Sequence, residues 1–477
     1  MSKIVRTKIL SLVSLAILMV SCTPELNVSK TVNTTTPESF GESLDSANTA
    51  TISWPDYFTD QYLISLIDTA LKNNQELNIM LQEIEISKNE VVARKGEYLP
   101  QLGVGAGAGL EKSGRYTRNG SLEANNDIRP GVEFPEPLGD LTIGVNATWE
   151  IDIWKKLRNA KKSAYIKYLA SVDGKNFMVT NLVAEIANSY YELLALDNRL
   201  AILKQNIELQ GSALEIVKLQ KESARVTELA VRRFQGQVYY TKSLEFEIQQ
   251  QIIETENKLN KLLGRYPKPI ERDSDAFIDL VPMMVQSGIP SQLLENRPDV
   301  RQAELNMTAA KLDVKVAKAS FYPTLGLSAG LGFQAYNAAY LLTAPESLLY
   351  GLAGEIAAPL LNRNAIKAVY YNANATQIQT VYNYEQTLIN AYLEVANQLA
   401  KFQNLASSYE LKSQQVKALT ESIEISNTLF KSARADYMEV LLTQREALES
   451  RFELVETKMH QMNTSINIYR ALGGGWK

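Results

Sequence analysis

Arg297 and Asp299, two residues apart, are the pair in this sequence that most readily suggests a catalytic site. A structural role fits their context better, because they lie where a proline-rich connector ends and a helix is expected to begin. Pro298 between them suits the first helical turn, and the Asp299 carboxylate favours the positive end of the helix dipole. We therefore predict that this pair starts a helix and takes no part in catalysis.

Glu150 and Asp152 form a second candidate pair, at positions i and i+2 of a predicted strand, so that both share one face. Paired carboxylates can act as general acid and base, but on a strand these two are better explained as lining a channel or its mouth. The glycines from 103 to 109 alternate strictly, unlike those of a phosphate loop, and no nucleophile-elbow, Walker or dinucleotide motif is present. We predict that the protein is not an enzyme and binds no cofactor.

Composition also argues against metal chemistry. The 477 residues include one histidine, His460, and one cysteine, Cys22. Zinc, copper and non-haem iron centres usually need two or three imidazoles, and thiolate clusters or disulfide frameworks need several cysteines. We expect His460 to lie solvated on a helix, and we predict no resident metal.

Net charge and hydropathy argue against two further classes, nucleic-acid-binding proteins and proteins with membrane-crossing helices. The net charge of −4 lacks the basic excess of a nucleic-acid-binding protein, so we predict no nucleic-acid partner. No apolar run reaches the roughly 18–20 residues that a membrane-crossing helix needs. A membrane β-barrel remains compatible, because the hydropathy signal of its strands is weak.

The N-terminus has the pattern of an export signal. Basic residues precede an apolar run from Ile9 to Val20, and Ser21 and Cys22 follow. We predict a signal peptide over residues 1–21, lipidation of Cys22, and an extended, polar tether over residues 22–60. A plain signal peptide with an incidental cysteine is the alternative.

The chain repeats itself. The segment Tyr98–Gly107 matches Phe321–Gly330 at a constant offset of 223, and Ser223-Ala224-Arg225 recurs as Ser432-Ala433-Arg434 at an offset of 209. Copies of this size indicate a tandem duplication rather than a solenoid. We predict a first repeat over residues 61–263, a connector over 264–290, and a second repeat over 291–477.

Four segments show the period-2 alternation of strands, at about residues 101–114, 139–152, 324–336 and 347–359. Strands of about ten residues, tilted by about 45°, can span an outer-membrane apolar band. Any one segment alone is better explained as a half-buried strand of a soluble sheet, but the four together, with aromatic residues near their ends, favour a lipid-facing barrel. The predicted lipid-facing residues are Leu141, Ile143, Val145 and Trp149. The predicted lumen-facing residues are Asn146, Glu150, Asp152 and Glu355.

Two proline-free stretches, from about Leu157 to Lys221 and from about Lys367 to Lys431, predict helices roughly 100 Å long. In the second, apolar residues recur at alternating spacings of three and four, which indicates a coiled-coil seam. Each helix is expected to turn back near the repeated Ser-Ala-Arg. An antiparallel coiled coil in a soluble scaffold is the alternative for these segments.

Four strands cannot close a membrane barrel alone, because their open edges would leave unpaired backbone groups in hydrocarbon. If the strands lie in a membrane, other chains must complete them. The object implied is an oligomeric barrel with a polar lumen, continued by long helices, through which solutes pass unchanged.

The segment Ile289–Glu304 reads IPSQLLENRPDVRQAE and closely resembles a signature of TolC-like outer-membrane efflux factors, specifically the lipoprotein OprM/NodT branch. The C-terminal Ala471–Trp476 and the segment Trp54–Asn74 are also similar to that branch. The resemblance extends over essentially all of the mature chain. The tips depart from the family pattern, since residues other than glycine follow the repeated Ser-Ala.

This resemblance implies an α+β fold: a homotrimer with a twelve-stranded β-barrel in the outer membrane, four strands per chain, continued by a periplasmic α-helical coiled-coil barrel. It implies a lipid-anchored duct that passively conducts small molecules or drugs, with a periplasmic adaptor and an inner-membrane pump of the resistance-nodulation-division type as partners. An exit duct for protein secretion, or a coiled-coil surface lipoprotein without a channel, remains the alternative.

The resemblance also implies that the helical hairpin ends form both the closed gate and the adaptor contact. The residues concerned are Arg225, Thr227, Lys431, Arg434 and Asp436. Three copies of Asp436 around an axis would attract cations and repel one another, so closure would need cationic partners such as Lys431 or Arg434. The alternative is that Asp436 only caps the returning helix.

Overall fold

A computed structural model describes residues 30–40, 47–283, 286–359, 363–432 and 434–477. The predicted signal peptide and Cys22 lie outside these residues. The helices are α1 (Trp54–Tyr57), α2 (Gln61–Asn73), α3 (Gln75–Tyr98), α4 (Arg118–Asn125), α5 (Lys156–Glu222), α6 (Glu228–Leu262), α7 (Leu293–Asn296), α8 (Pro298–Ala319), α9 (Asn364–Lys431) and α10 (Tyr437–Ala471). The strands are β1 (Gln101–Glu111), β2 (Asp127–Arg129), β3 (Val132–Glu133), β4 (Leu138–Ile151), β5 (Thr324–Ala335) and β6 (Leu348–Ala357).

The four long strands form one antiparallel sheet in the order β1-β4-β5-β6, and the short β2 and β3 pair with each other. The strands begin and end within three residues of the predicted bounds. Their alternation of apolar residues with glycine or polar residues gives the sheet two chemically different faces.

The chain divides into two compact units, and each draws segments from both predicted repeats. The sheet unit contains Glu85–Leu169 and Leu305–Tyr382, with Lys30 and Thr31 of the N-terminal segment. Its small apolar clusters lie between helices, one of them around Phe321 and Tyr370, whose rings meet edge to face at 5.6 Å.

The helical unit consists of Val32–Ile84, Ala170–Glu304 and Asn383–Lys477. Its largest core gathers buried side chains from α2, α5, α6 and α10. Helix α2 shows how the sequence builds this core: the Asp60 side chain accepts hydrogen bonds from the backbone of Tyr62 and Leu63 and caps the helix. Its buried residues then recur at helical spacing, and they are Leu63, Leu66, Ile67 and Ala70.

The coiled-coil seam predicted on α9 contributes to a second core in the helical unit. Val395 is fully buried there, and Leu399 and Phe402 pack against the same cluster. Among the described residues, none of the helices combines the length and the apolar character needed to cross a membrane.

Candidate functional site

One face of the sheet is apolar across all four strands. Val104 of β1, Val145 of β4, Leu331 of β5 and Tyr350 of β6 stand opposite one another in consecutive pairs, so they share that face. Val145 is 48 % exposed and Leu331 is 55 % exposed. The four residues predicted to face lipid lie on this face, because strand residues two apart point the same way.

The opposite face carries glycine and polar residues. Asn146 of β4 lies opposite Gly103 of β1 and Gly330 of β5. Glu150 of β4 and Glu355 of β6 both lie opposite Gly326, so the two carboxylates flank a glycine in one cross-strand row. Three of the four residues predicted to face the lumen, Asn146, Glu150 and Glu355, therefore share this face.

Asp152, the fourth, was predicted wrongly. Strand β4 ends at Ile151, and only 1 % of the Asp152 side chain is exposed. Its carboxylate accepts hydrogen bonds from the backbone N–H groups of Leu157 and Arg158 and pairs with the Arg158 guanidinium at 3.1 Å. These N–H groups belong to the first turn of α5 and lack intrahelical partners, so Asp152 is occupied in starting that helix. Glu150 pairs instead with Lys156, at 2.7 Å.

Two glycines fix the close approach of β4 and β5. A Cβ atom on Gly144 would meet the carbonyl oxygen of Leu331 at 2.8 Å, and one on Gly332 would meet that of Ile143 at 2.5 Å. On the edge strands, a Cβ atom on Gly105 or Gly351 would meet nothing within 4 Å. Glycine is therefore required for packing at the centre of the sheet, and it is not required within the chain at these edge positions.

The first hairpin tip joins α5 to α6. Ala224 adopts a positive φ of 53°, and the backbone N–H of Arg225 donates to the carbonyl of Gln220, which closes the end of α5. The Thr227 side chain accepts a hydrogen bond from the backbone of Ala230 and caps α6. Lys221 forms an ion pair with Glu228 across the turn, and this hydrogen-bonded pair lowers the pKa of the Glu228 carboxyl.

The second hairpin tip joins α9 to α10 and repeats one backbone hydrogen bond of the first tip. The N–H of Arg434 donates to the carbonyl of Leu429, as Arg225 does to Gln220. Asp436 occupies the N-cap position of α10, but its side chain makes no capping hydrogen bond. Lys431, Arg434 and Asp436 are exposed, and within the described residues Asp436 pairs with neither cation.

An apolar cluster joins the two tips. It is built around Phe234 and Val231 of α6 and Val440 of α10, all buried, with Phe430 and Tyr437 packed at its margin. Phe430 and Tyr437 lie 209 residues after Lys221 and Glu228, so the second tip carries aromatic rings where the first carries an ion pair. The structure thus brings the predicted tip residues to two adjoining turns.

Arg297 has a structural environment, as the sequence predicted. Its side chain is 7 % exposed and meets Asp299 at 2.8 Å, Glu394 at 2.8 Å and the carbonyl oxygen of Ala471 at 2.7 Å. Burial alone would lower the pKa of Arg297, but the two carboxylates raise it above its ordinary value, so the side chain stays charged. Arg470 also pairs with Glu394, at 2.6 Å.

Sequence reasoning missed most of these partners. Glu394 and the carbonyl of Ala471 lie 97 and 174 residues from Arg297 along the chain, and no motif connects them. Gly473, at a φ of 92°, gave one usable signal, because a Cβ atom there would meet the carbonyl oxygen of Asn296 at 2.5 Å. In the described ranges no cluster of three or more His, Cys, Asp or Glu side chains could hold a metal ion.

Comparison with known proteins adds the following. A family model described as "Outer membrane efflux protein" matches residues 66–265 and 289–474. The chain is 27 % identical over 424 residues to the cation efflux system protein CusC of Escherichia coli O6:H1, covering 89 % of this chain and 88 % of CusC. It is 24 % identical over 445 residues to the probable outer membrane lipoprotein SilC of Salmonella typhimurium, covering 92 % and 93 %. A crystal structure of CusC superposes with a TM-score of 0.82 at 23 % identity, covering 94 % of this chain and 99 % of that one.

Proposed function

The chain belongs to the outer membrane efflux protein family, and we propose that it assembles as a homotrimer into a passive duct of a tripartite efflux pump. The family resemblance, the α+β fold class and the outer-membrane efflux function predicted from the sequence are confirmed. Proteins of this family are components of transport systems. We propose that solutes cross the assembly chemically unchanged.

The observation that carries this proposal is the two-faced sheet, whose edge strands β1 and β6 each pair with a single strand among the described residues. Its apolar face suits contact with acyl chains, while its glycine and polar face suits water. An open edge in hydrocarbon would leave backbone groups unsatisfied at several kcal/mol each, so strands from other copies must complete the sheet. Three copies give the twelve strands that the family resemblance implies.

The partners follow from membership of a pump system. We propose that a periplasmic adaptor and an inner-membrane pump of the resistance-nodulation-division type deliver small molecules or drugs to the trimer. The duct itself would do little selecting, since its inner sheet face carries few large side chains. Substrate choice would then rest with the pump.

The gate is proposed at the two hairpin tips. The Asp436 carboxylate is exposed and takes up neither a cap hydrogen bond nor, among described residues, an ion pair. This supports the gate over the cap as the role of Asp436, because a capping aspartate would accept a bond from the first turn of the helix. Three such carboxylates around one axis would favour cations.

The lipid anchor is proposed at Cys22, where the apolar run of the signal ends. Intact-mass measurement of the mature protein should give a diacylated or triacylated chain that begins at Cys22. A mature chain that starts at another residue and carries no lipid would refute the anchor and leave the duct untouched.

Conductance tests the function itself. The purified, assembled protein should produce discrete current steps in planar lipid bilayers, and a strain lacking it should accumulate more of a fluorescent efflux dye. A coiled-coil surface lipoprotein would give no current steps. A protein-secretion duct would also conduct. In that case the strain lacking it would show unchanged dye accumulation and less of a secreted protein in the medium.

A further inference from the structure

The helices α5, α6 and α10 pack together in the helical unit around a buried layer of polar side chains. The layer consists of Asn206 and Gln210 of α5, Thr241 of α6 and Gln444 of α10. Each of these residues is at most 6 % exposed. Side-chain amides are mostly exposed in folded proteins, because burial takes them from water. We call these four residues the polar layer.

The polar layer lies between two apolar clusters. One is the cluster around Phe234 that joins the tips, and the other is built from the buried residues Leu196, Leu203, Ile248 and Leu448. Each of the three helices contributes to both clusters, and its polar residues lie between the two contributions. On α6, for example, Val238, Thr241 and Leu244 follow one another at intervals of three. The polar layer therefore interrupts an apolar seam at one level on all three helices.

Hydrogen bonding in the polar layer joins two of the helices and leaves further capacity unused. The Thr241 hydroxyl donates to Gln210 Oε1 at 2.8 Å, which links α6 to α5. Among the described residues, the Gln210 amide nitrogen and the side-chain oxygens of Asn206 and Gln444 have no hydrogen-bond partner. The layer thus combines one unused donor group with two unused acceptors, a set that internal water can bridge.

The second repeat shows that helix pairing at this level does not require a glutamine. The offset of 209 relates Gln210 to Leu419 and Thr241 to Ser450. The Ser450 hydroxyl donates to the carbonyl oxygen of Ala447 in its own helix, and a leucine side chain cannot form a hydrogen bond. The polar link between α5 and α6 therefore has an apolar counterpart between α9 and α10, and its role must differ from simple pairing.

We propose that the polar layer locks the lengthwise register of α10 against the α5–α6 hairpin, and so fixes the level of the second tip relative to the first. On α10, Val440, Gln444 and Leu448 follow at intervals of four residues, about one helical turn. In an apolar seam, a shift by one turn exchanges one apolar contact for another, and such contacts have no direction. With Gln444 in the seam, the same shift moves an amide into an apolar cluster and away from the buried polar groups, which is unfavourable.

Cross-linking between α6 and α10 measures this register. Arg233 Nη1 lies 2.6 Å from the sulfur of Met438, so these two side chains are in contact. Met438→Cys combined with Arg233→Cys, treated with a short bismaleimide in the full chain, reports the observed register. Met438→Cys with Leu229→Cys reports a shift of α10 by one turn toward the tip, and Met438→Cys with Gln237→Cys reports the opposite shift. Intact mass of the monomer band separates links within a chain from links between chains.

An apolar-layer variant carries the test. It combines the substitutions Asn206→Leu, Gln210→Leu, Thr241→Val and Gln444→Leu. We expect the yield of shifted links, relative to the link of the observed register, to rise roughly fivefold or more over the unaltered layer. The denaturant midpoint should not fall, because replacing all partners of a buried polar group by apolar groups is nearly neutral or stabilising. Loss of register without loss of stability is a combination that a purely structural role would not produce.

Two single variants supply the controls. Gln210→Leu, which copies the residue of the second repeat, should raise the shifted links less than the apolar-layer variant does. Gln205→Leu adds the same side chain at an exposed position of α5 and should leave the links unchanged. Met438→Cys alone measures any link through Cys22.

Every outcome decides the proposal. Unchanged link ratios in a folded apolar-layer variant would overturn the register lock, and so would an equal rise in Gln205→Leu. If the apolar-layer variant fails to fold, Gln210→Leu decides alone: raised shifted links support the lock, and unchanged ratios overturn it. The inference concerns the packing of helices within one chain, so its failure would leave the proposed duct in place, and conductance tests the duct separately.

Discussion

The two repeats agree in the sheet and differ at the hairpin tips. In the sheet, the β1–β4 and β5–β6 hairpins share one register once the offsets are applied. At the tips, one backbone hydrogen bond at the end of the outgoing helix recurs, but Thr227 caps its helix and Asp436 does not, and an ion pair is replaced by Phe430 and Tyr437. Backbone hydrogen bonding therefore holds the sheet to one pattern, whereas exposed turns tolerate different side chains and can acquire different roles.

The largest effect on assembly is expected in the sheet, where the two repeats agree. Val145→Arg places a charge on the apolar face of β4, which should cost about 2–4 kcal/mol near a bilayer midplane. Leu331→Arg, on the paired strand of the second repeat, should cause a similar loss. The fraction of protein recovered as oligomer measures it. Asn146→Arg, on the opposite face, is the control, and equal loss there would contradict the assignment of the faces.

At the tips, the apolar cluster should contribute more to the free energy of unfolding than the ion pair does. Phe430→Ala removes a ring from the margin of the cluster around Phe234 and should cost about 1–2 kcal/mol, less than the 3–5 of a fully buried ring. Lys221→Ala removes one partner of an exposed ion pair and should change stability little. Denaturant unfolding of both variants gives the comparison, and a larger loss for Lys221→Ala would reverse it.

Removing the N-cap side chain should destabilise the start of α6 but not the start of α10. Thr227→Ala removes the bond to the backbone of Ala230 and should cost about 0.5–2 kcal/mol of local stability. Hydrogen exchange in the first turn of α6 should accelerate by roughly fivefold for about 1 kcal/mol. Asp436→Ala should leave exchange in the first turn of α10 nearly unchanged, since no cap bond is lost. Comparable acceleration in both helices would show that Asp436 is a cap.

The smallest effect on stability is expected from the backbone of the first hairpin tip. Ala224 has a positive φ of 53°, a conformation in which a Cβ atom is strained and glycine is not. Ala224→Gly should stabilise the first tip by up to about 1 kcal/mol. Ala213→Gly, inside α5, should instead destabilise by about 1 kcal/mol. Thermal unfolding of the two variants checks the sign, and a destabilising Ala224→Gly would refute the strain.

The sequence was most informative where a period governs structure. Alternation predicted the strands and their faces, because a half-buried strand repeats every two residues. The absence of proline predicted the long helices, observed over Lys156–Glu222 and Asn364–Lys431. The internal duplication predicted where both helices turn.

Contacts that depend on tertiary structure could not be predicted. Asp152 follows the alternation of β4, but the first turn of α5 competes for its carboxylate and buries it. The strained backbone at Ala224 carries no glycine to mark it. Arg297 pairs with Glu394, which lies on another helix. The sequence could therefore predict a structural role for Arg297, but it could not identify Glu394 as its partner.

The role of Asp436 is the claim that most directly joins the tips to the duct, and ion selectivity tests it. Reversal potentials should be measured across planar bilayers under a salt gradient for the unaltered trimer, Asp436→Ala and Thr227→Ala. We expect the unaltered trimer and Thr227→Ala to share one cation preference, and Asp436→Ala to lose much of it. An unchanged cation preference in a fully assembled Asp436→Ala trimer would contradict the assignment of Asp436 to the gate.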